Sequence, residues 1–318
     1  MRELRFISVQ PANLYYAWQV EVMLHNFLEM GVKPGQIDIL CYKENGIVPR
    51  QWLNLYSFFG QQGVSFYFYN DDKDFRFYTS SKRFNILKQH FTLFPELSEK
   101  AIFYHDCDII LSKKFDWITE EMLSDEFIYG SNVDWYLNYD YILSKGREVL
   151  NTMCDILRVP AEVVKENNHN TIGAQYLLKG MTADFWQRAE FDSEYLYVKI
   201  TALSDKIKAN DPDYHELQIW CSDMWSLLWG LWREGKETRV SKVMDFSWAS
   251  ATRDKGLEDY ERCNIMHNAG VTGPNQGCFF KGAYINRLPY DEELDLIEGA
   301  SKKYFEWVKA VGKISVLK

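Results

Sequence analysis

The first third of the chain alternates between short apolar runs and segments with helical periodicity, and this alternation limits the fold more than any other feature. The apolar runs cover residues 4–9, 37–42, 64–69 and 101–111. The helical segments between them cover residues 15–30, 49–59 and 80–91. Because repeated strand–helix units pack as parallel strands covered by helices, the pattern predicts an α/β fold with a helix-covered sheet.

Composition and charge narrow the class of protein. The 318 residues are 47% hydrophobic, which is enough for a sizeable core, and the net charge of -9 argues against general nucleic-acid binding. We find no signal-peptide pattern and no apolar run near the roughly 20 residues that span a bilayer, so we expect a cytoplasmic protein without a membrane span. The six cysteines include no Cys-x-x-Cys pair, which argues against a zinc knuckle or a redox motif.

Two acids interrupt the fourth apolar run, residues 101–111. If this run is one strand, Asp106 and Asp108 point in the same direction, so both carboxylates can face one ion. Carboxylate oxygens are hard ligands that Mg²⁺ or Mn²⁺ prefers, and ligands bind at the carboxyl ends of strands in parallel sheets. We therefore expect a metal site that holds a nucleotide diphosphate; the alternative is a solvated turn.

Three other residues suit the same site. His267 ends a short apolar stretch, and a neutral imidazole is a common ligand for Mn²⁺-like ions beside carboxylates. Its alternative is a hydrogen-bonded loop histidine. Lys82 and Arg83 open the helix that precedes the acids, where backbone N–H groups and a cation suit phosphate. Their alternative is a solvated helix terminus.

Residues 214–233 are predicted to form a helix that is apolar on nearly every face and therefore buried. Asp223 within it needs a partner or a function, and Glu216 lies seven residues earlier on the same predicted face. Both carboxylates suit a general base or an acceptor for a sugar hydroxyl, and Trp220 between them suits a stacking face. The alternative for Asp223 is a helix cap or a buried ion pair, for instance with Arg233 or Arg253.

Two further segments carry candidate contacts. The aromatic and acidic run at residues 134–141, which begins with Asp134 and Trp135, mixes hydrogen-bonding and stacking groups as carbohydrate contacts do. The alternative is a packed surface loop. Gly173 and Ala174 begin a strand at residues 171–178, where another group can approach the backbone closely, and with Gln175 they are candidate donor contacts.

The element order up to the Asp-x-Asp pair resembles the nucleotide-sugar half of GT-A fold glycosyltransferases. Residues 13–19 are similar to the aromatic-x-x-Trp-Gln segment of the hydroxyproline O-arabinosyltransferase and peptidyl-serine galactosyltransferase group. Residues 172–175 resemble the Gly-rich strand of that group, and residues 220–225 resemble its Trp-x-Ser-Glu-Met-Tyr helix, with Asp in place of Glu.

The resemblance implies a hexosyl- or pentosyltransferase that moves a sugar from a nucleotide-diphosphate sugar, usually a UDP-sugar, with Mn²⁺ or Mg²⁺. The acceptor would be a hydroxyl of a glycan, a protein or another molecule. Asp108 would be the direct metal ligand, Asp106 would share the metal or contact the ribose, and His267 would complete the site. Gln10 and Pro11 would lie near the nucleobase.

These observations predict a GT-A-like, Rossmann-type mixed sheet flanked by helices in a single domain. The domain is expected over residues 1–290, with a nucleotide-sugar-binding half at 1–112 and an acceptor-side half at 113–290, followed by a C-terminal helix at 291–318. Two alternative functions stay open: a non-catalytic nucleotide-sugar or glycan-binding protein on the same fold, and a metal-dependent phosphohydrolase.

Overall fold

The computed structural model describes residues 1–250, 253–274 and 277–318. The strands in this part are β1 (Leu4–Pro11), β2 (Ile37–Tyr42), β3 (Ser65–Tyr69), β4 (Ala101–Tyr104), β5 (Ile109–Leu111), β6 (Ile128–Asn132), β7 (Ile172–Lys179), β8 (Thr238–Val240), β9 (Phe246–Trp248) and β10 (Ile265–His267). The helices are α1 (Leu14–Glu29), α2 (Arg50–Gly60), α3 (Lys82–Leu93), α4 (Glu120–Ser124), α5 (Asp134–Leu137), α6 (Tyr139–Ser144), α7 (Arg147–Leu157), α8 (Ala161–Glu166), α9 (Ala183–Asn210), α10 (Ser222–Arg233), α11 (Arg253–Arg262) and α12 (Ala300–Gly312). None of the described helices has both the length and the apolar character needed to cross a bilayer.

Seven strands form one mixed sheet with the order β3-β2-β1-β4-β7-β6-β8, and β5, β10 and β9 form a three-stranded sheet. The predicted fold class, an α/β fold with a mixed sheet flanked by helices, is confirmed. The chain also divides into two compact units that are interleaved in sequence. The first comprises Met1–Glu3, Asp71–Phe103 and Ser124–Ser241; the second comprises Leu4–Asn70, Tyr104–Leu123 and Lys242–Lys318. The functional halves expected at 1–112 and 113–290 stay predictions.

The second unit contains the parallel strands β1, β2 and β3 that the strand–helix alternation predicts. After β1, α1 begins at Leu14 because the Asn13 side chain accepts a hydrogen bond from the backbone N–H of Tyr16 at 3.3 Å. The helix is followed by Gly31, whose φ of +97° is strained for residues with a side chain. Trp18 of α1 is fully buried.

The first unit contains β7, β6 and β8, with β6 antiparallel to β7 and parallel to β8. The register between β6 and β7 shifts at Gly130 and Ser131, and Ala174 on β7 has a φ of +60°. The long helix α9 packs on α10 and carries the buried Asp192, which pairs with Arg233 at 2.6 Å. Arg233 is therefore engaged by α9 rather than by Asp223.

Two predicted elements that carry candidate site residues differ from the observed ones. The predicted single strand at 101–111 is wrong, because β4 ends at Tyr104, the chain turns, and β5 pairs antiparallel with β10 in the smaller sheet. The predicted helix at 214–233 begins only at Ser222, after an irregular segment and one 3₁₀ turn. The first break lies at residues 105–108, where His, Asp, Cys and Asp separate two apolar runs that together resemble one strand. At the second break, apolar side chains continue through the 3₁₀ turn before α10, so hydrophobic periodicity does not reveal it.

The C-terminal helix α12 lies within the predicted range 291–318 but begins at Ala300 rather than at residue 291. Lys309 of α12 pairs with Glu293 at 2.6 Å and donates a hydrogen bond to the carbonyl of Glu292 at 2.7 Å. These contacts hold the acidic segment beside the helix instead of in line with it.

Candidate functional site

Asp106, Asp108 and His267 come together in the second unit, with one ligand atom from each within 4.8 Å of the others. The Nε2 atom of His267 lies 3.2 Å from Oδ1 of Asp108 and 3.7 Å from Oδ2 of Asp106. Pairing of β5 with β10 creates this proximity, and the backbone N–H of Asn268 donates to the carbonyl of Asp108 at 2.9 Å. The structure therefore brings these three residues together, and their role as metal ligands stays a prediction.

The donor set fits a divalent metal ion. Two carboxylates and one imidazole are the ligand types that suit Mn²⁺-like ions, and hard carboxylate oxygens also suit Mg²⁺. The Asp108 side chain is 7% exposed and His267 is buried, whereas Asp106 is 30% exposed, so the cluster has one open side. Trp248 stacks on the His267 ring with centroids 6.2 Å apart, which limits the orientations of the imidazole.

Lys281 is the neighbour that the sequence interpretation missed. Its ammonium group pairs with Oδ2 of Asp108. Burial by itself raises the pKa of Asp108, but the positive charge of Lys281 and the contacts with Lys281 and His267 outweigh it and hold that pKa well below its usual range. Lys281 lies in a separate 3₁₀ turn, Lys281–Tyr284, and its only sequence signal is a lone cation directly after two aromatic residues.

Asn268 follows His267 and is 1% exposed. Within the described part of the chain, neither its amide nitrogen nor its side-chain oxygen has a hydrogen-bond partner. A buried amide without partners costs free energy, so such groups usually mark a place where a ligand, an ion or water completes the hydrogen bonding. The position of Asn268 beside a candidate metal ligand is consistent with a binding site here.

Gln10 and Pro11 end β1 in the second unit, and both are buried. The Gln10 amide donates to the carbonyl of Leu40 at 3.0 Å, so it holds the end of β1 against β2. Its Oε1 atom is buried without a hydrogen-bond partner among the described residues. The predicted contact of Gln10 and Pro11 with a nucleobase stays a prediction.

Asp223 lies in the first turn of α10, in the first unit, and its side chain is 15% exposed. The Tyr78 hydroxyl lies 2.6 Å from Oδ1 of Asp223 and 2.6 Å from the carbonyl of Trp220, and it accepts from the Asp223 N–H. Burial and the Asp223 charge raise the pKa of Tyr78, so the phenol stays protonated and donates. Arg83 approaches Oδ2 at 4.0 Å. Tyr78 and Arg83 are thus among the partners of Asp223.

Lys82 and Arg83 begin α3 as predicted. Their side chains are partly exposed, and the Lys82 ammonium lies 3.9 Å from Oδ2 of Asp71. Arg76, in the loop before α3, pairs with Glu190 of α9 at 2.8 Å, and this ion pair connects the loop to α9. The phosphate-binding role of Lys82 and Arg83 stays a prediction.

Glu216 and Trp220 do not share a helical face with Asp223, and that part of the prediction is wrong. Glu216 lies in the irregular segment before α10, where it is exposed and pairs with Lys208 at 2.6 Å. Trp220 lies in the 3₁₀ turn Ile219–Cys221 and is 63% exposed. The helix expected to carry all three residues therefore carries only Asp223.

The remaining candidate residues of the first unit lie on the short helix α5 and on the strand β7. Asp134 begins the short helix α5, its N–H donates to the Asn132 side chain at 3.0 Å, and Trp135 beside it is 54% exposed. At Gly173, an added Cβ would lie 2.6 Å from the Met224 side chain and 2.7 Å from that of Val133. The groups that approach the Gly173 backbone closely are therefore side chains of the protein itself.

Gln175 is fully buried on β7. Its Oε1 atom accepts a hydrogen bond from the Ser131 hydroxyl at 2.8 Å. This bond crosses the register shift between β6 and β7, next to the left-handed Ala174, so it stabilises the irregular pairing. The donor-binding role of Ala174 and Gln175 stays a prediction.

Comparison with known proteins finds similarity in fold. No protein-family model and no curated protein matches the chain. The apo structure of the bifunctional glycosyltransferase WbbM matches with a TM-score of 0.53 and 8% identity, over 97% of this chain and 50% of that one. The chain has the fold of a solved glycosyltransferase, and it spans half the length of WbbM.

Two further matches have lower TM-scores. The galactosyltransferase LgtC, in complex with donor and acceptor sugar analogues, matches at 0.44 with 12% identity over 96% of this chain and 95% of LgtC. Mouse xyloside xylosyltransferase 1 matches at 0.43 with 14% identity over 84% of this chain and 97% of its own.

Proposed function

We propose that the protein is a glycosyltransferase that takes a hexosyl or pentosyl group from a UDP-sugar and transfers it to a hydroxyl of a glycan, protein or other acceptor, with Mn²⁺ or Mg²⁺. The observation that carries the proposal is the cluster of Asp106, Asp108 and His267, whose ligand atoms lie within 4.8 Å of one another. The fold shared with WbbM supports the choice of transferase.

Asp106, Asp108 and His267 would hold the metal ion. When bound, the ion supplies Lewis-acid stabilisation to the negative charge that develops on the leaving diphosphate. Trp248 keeps the His267 ring in place by stacking on it. Lys281 adds a positive charge at Asp108, where an ammonium group favours binding of the donor's diphosphate.

Asp223 is the proposed general base or sugar-hydroxyl acceptor. Tyr78 donates to one of its carboxylate oxygens and Arg83 approaches the other, so the carboxylate is held in one orientation. The exposed indoles of Trp135 and Trp220 suit stacking against a sugar ring. Glu216, exposed and paired with Lys208, is better suited to a surface ion pair than to catalysis.

The two alternative functions make different demands on the chain. A two-metal phosphohydrolase needs a second group of acids or histidines, and the described residues contain one cluster of three such ligands. A non-catalytic binding protein would use the same cluster but would not break the bond between the sugar and the diphosphate. Turnover therefore separates a transferase from a binder.

The test measures release of UDP from UDP-glucose, UDP-galactose and UDP-xylose, with MnCl₂ or with EDTA. We expect Mn²⁺-dependent release with at least one donor, and a loss of roughly 100-fold or more in Asp108→Ala, since one electrostatic contact at a reacting centre is worth about that much. Asp205→Asn, an exposed acid on α9, is the matched control and keeps its activity. Far-UV circular dichroism checks that each variant is folded. Full Mn²⁺-dependent release by Asp108→Ala would contradict the proposal.

A further inference from the structure

We propose that Lys281 competes with the divalent ion for Asp108, so that the metal binds tightly only when an anionic diphosphate gives Lys281 another partner. The inference rests on the metal site of the proposed function. It adds a residue that sets metal affinity without touching the metal.

Both carboxylate oxygens of Asp108 have partners within the protein. Oδ1 faces Nε2 of His267 at 3.2 Å, and Oδ2 pairs with the Lys281 ammonium. An ammonium group has no lone pair with which to bind a metal, and its positive charge repels a dication at the same carboxylate. A metal held by Asp106, Asp108 and His267 must therefore displace Lys281 or bind against its charge.

Lys281 is the partner that can move. Asp108 is 7% exposed and its carbonyl is held by the Asn268 N–H, whereas the Lys281 side chain is 25% exposed. The 3₁₀ turn that carries Lys281 is anchored at its far end, because the Trp18 indole donates to the carbonyl of Tyr284 at 3.3 Å. The backbone is thus fixed while a flexible four-carbon side chain carries the charge, so the ammonium can leave Asp108 without unfolding the turn.

The net charge of the site couples binding of the metal to binding of the donor's diphosphate. Asp106, Asp108 and the Lys281 ammonium together have one net negative charge, and a bound dication changes this to one net positive charge. A diphosphate supplies the negative charge that the loaded site then lacks, and it offers Lys281 a new partner. Metal and diphosphate should therefore increase each other's affinity by the same factor.

The test is calorimetric titration of MnCl₂ into wild type, Lys281→Met and Lys281→Gln, with and without UDP. Lys313→Met is the matched control, since Lys313 is an exposed lysine of the same unit. Without UDP, we expect both Lys281 variants to bind Mn²⁺ at least tenfold more tightly than wild type. UDP should raise the Mn²⁺ affinity of wild type and the control more than that of the variants. The Mn²⁺-induced rise in melting temperature is an independent readout and should be larger in the variants.

Equal or weaker Mn²⁺ binding by folded Lys281 variants, beside clear Mn²⁺ binding by wild type, overturns the inference and leaves the proposed function standing. Absence of Mn²⁺ binding in wild type and in both variants, with or without UDP, overturns the inference and the metal site together. Tighter binding in Lys281→Met but not in Lys281→Gln also overturns it, because both substitutions remove the charge.

Discussion

Gly173→Ala tests whether the space at the start of β7 is filled by the protein's own side chains. The new Cβ would lie 2.6 Å from the end of Met224 and 2.7 Å from a methyl group of Val133, well inside ordinary contact. Met224 is flexible and can turn away, but Val133 is fully buried and stiff at χ1. Overpacking of this kind costs about 1–3 kcal/mol. Alanine restricts the unfolded chain more than glycine does, which stabilises the folded state by about 0.4–1 kcal/mol. We therefore expect the free energy of unfolding to fall by about 1–2 kcal/mol.

Urea unfolding followed by circular dichroism measures this loss. Gly273→Ala is the control, because an added Cβ there meets nothing within 4 Å, and its stability should stay within about 0.5 kcal/mol of wild type. The double variant Gly173→Ala/Val133→Ala should lose less than the two single losses added together, since the valine and the new methyl group compete for one space. If Gly173→Ala were as stable as wild type but bound UDP-sugars more weakly, the space would serve a ligand and the packing argument would be refuted.

Two further predictions concern buried hydrogen bonds. Burial outweighs the hydrogen bonds that the Glu21 carboxylate accepts from Tyr290, Ser315 and Val316, so its pKa is raised. The stability that the protonated Glu21 side chain contributes is complete below the unfolded pKa of about 4.3 and is lost as pH rises through the folded pKa. Urea unfolding repeated from about pH 4 to about pH 7 should therefore show wild type losing stability relative to Glu21→Gln as pH rises. A stability difference that does not change with pH would contradict this. Tyr78→Phe removes the hydroxyl bound to Asp223 and should cost about 1–3 kcal/mol in the same urea assay, whereas an unchanged stability would mean that the hydrogen bond contributes nothing.

The parallel strands β1, β2 and β3 could be predicted because each has a local signal, and the candidate metal ligands could be selected by their residue types. Each strand–helix unit of the first third has its own periodicity, and Asp106 and Asp108 stand out as acids inside an apolar run. His267 could be selected because few residue types bind metals beside carboxylates. The structure brings all three together.

Lys281 could not be predicted, because its partner is distant in sequence and a single lysine has no pattern. The helix expected to join Glu216 to Asp223 failed for a related reason. Apolar and aromatic side chains continue from Leu217 through the turn before α10, so periodicity alone extends the helix too far. Tertiary partners, such as Lys208 for Glu216, decide where such segments go.

The most direct test of the proposed donor site is a thermal-shift measurement with UDP-sugars, with MnCl₂ and with EDTA. A ligand present at about 100 times its dissociation constant adds roughly 2.7 kcal/mol to the stability of the folded state, which is a readily measured rise in melting temperature. We predict such a rise for at least one UDP-sugar with Mn²⁺, and its loss with EDTA or in Asp108→Ala. Melting temperatures that no UDP-sugar raises, with or without Mn²⁺, would contradict the assignment of Asp106, Asp108 and His267 as a donor site.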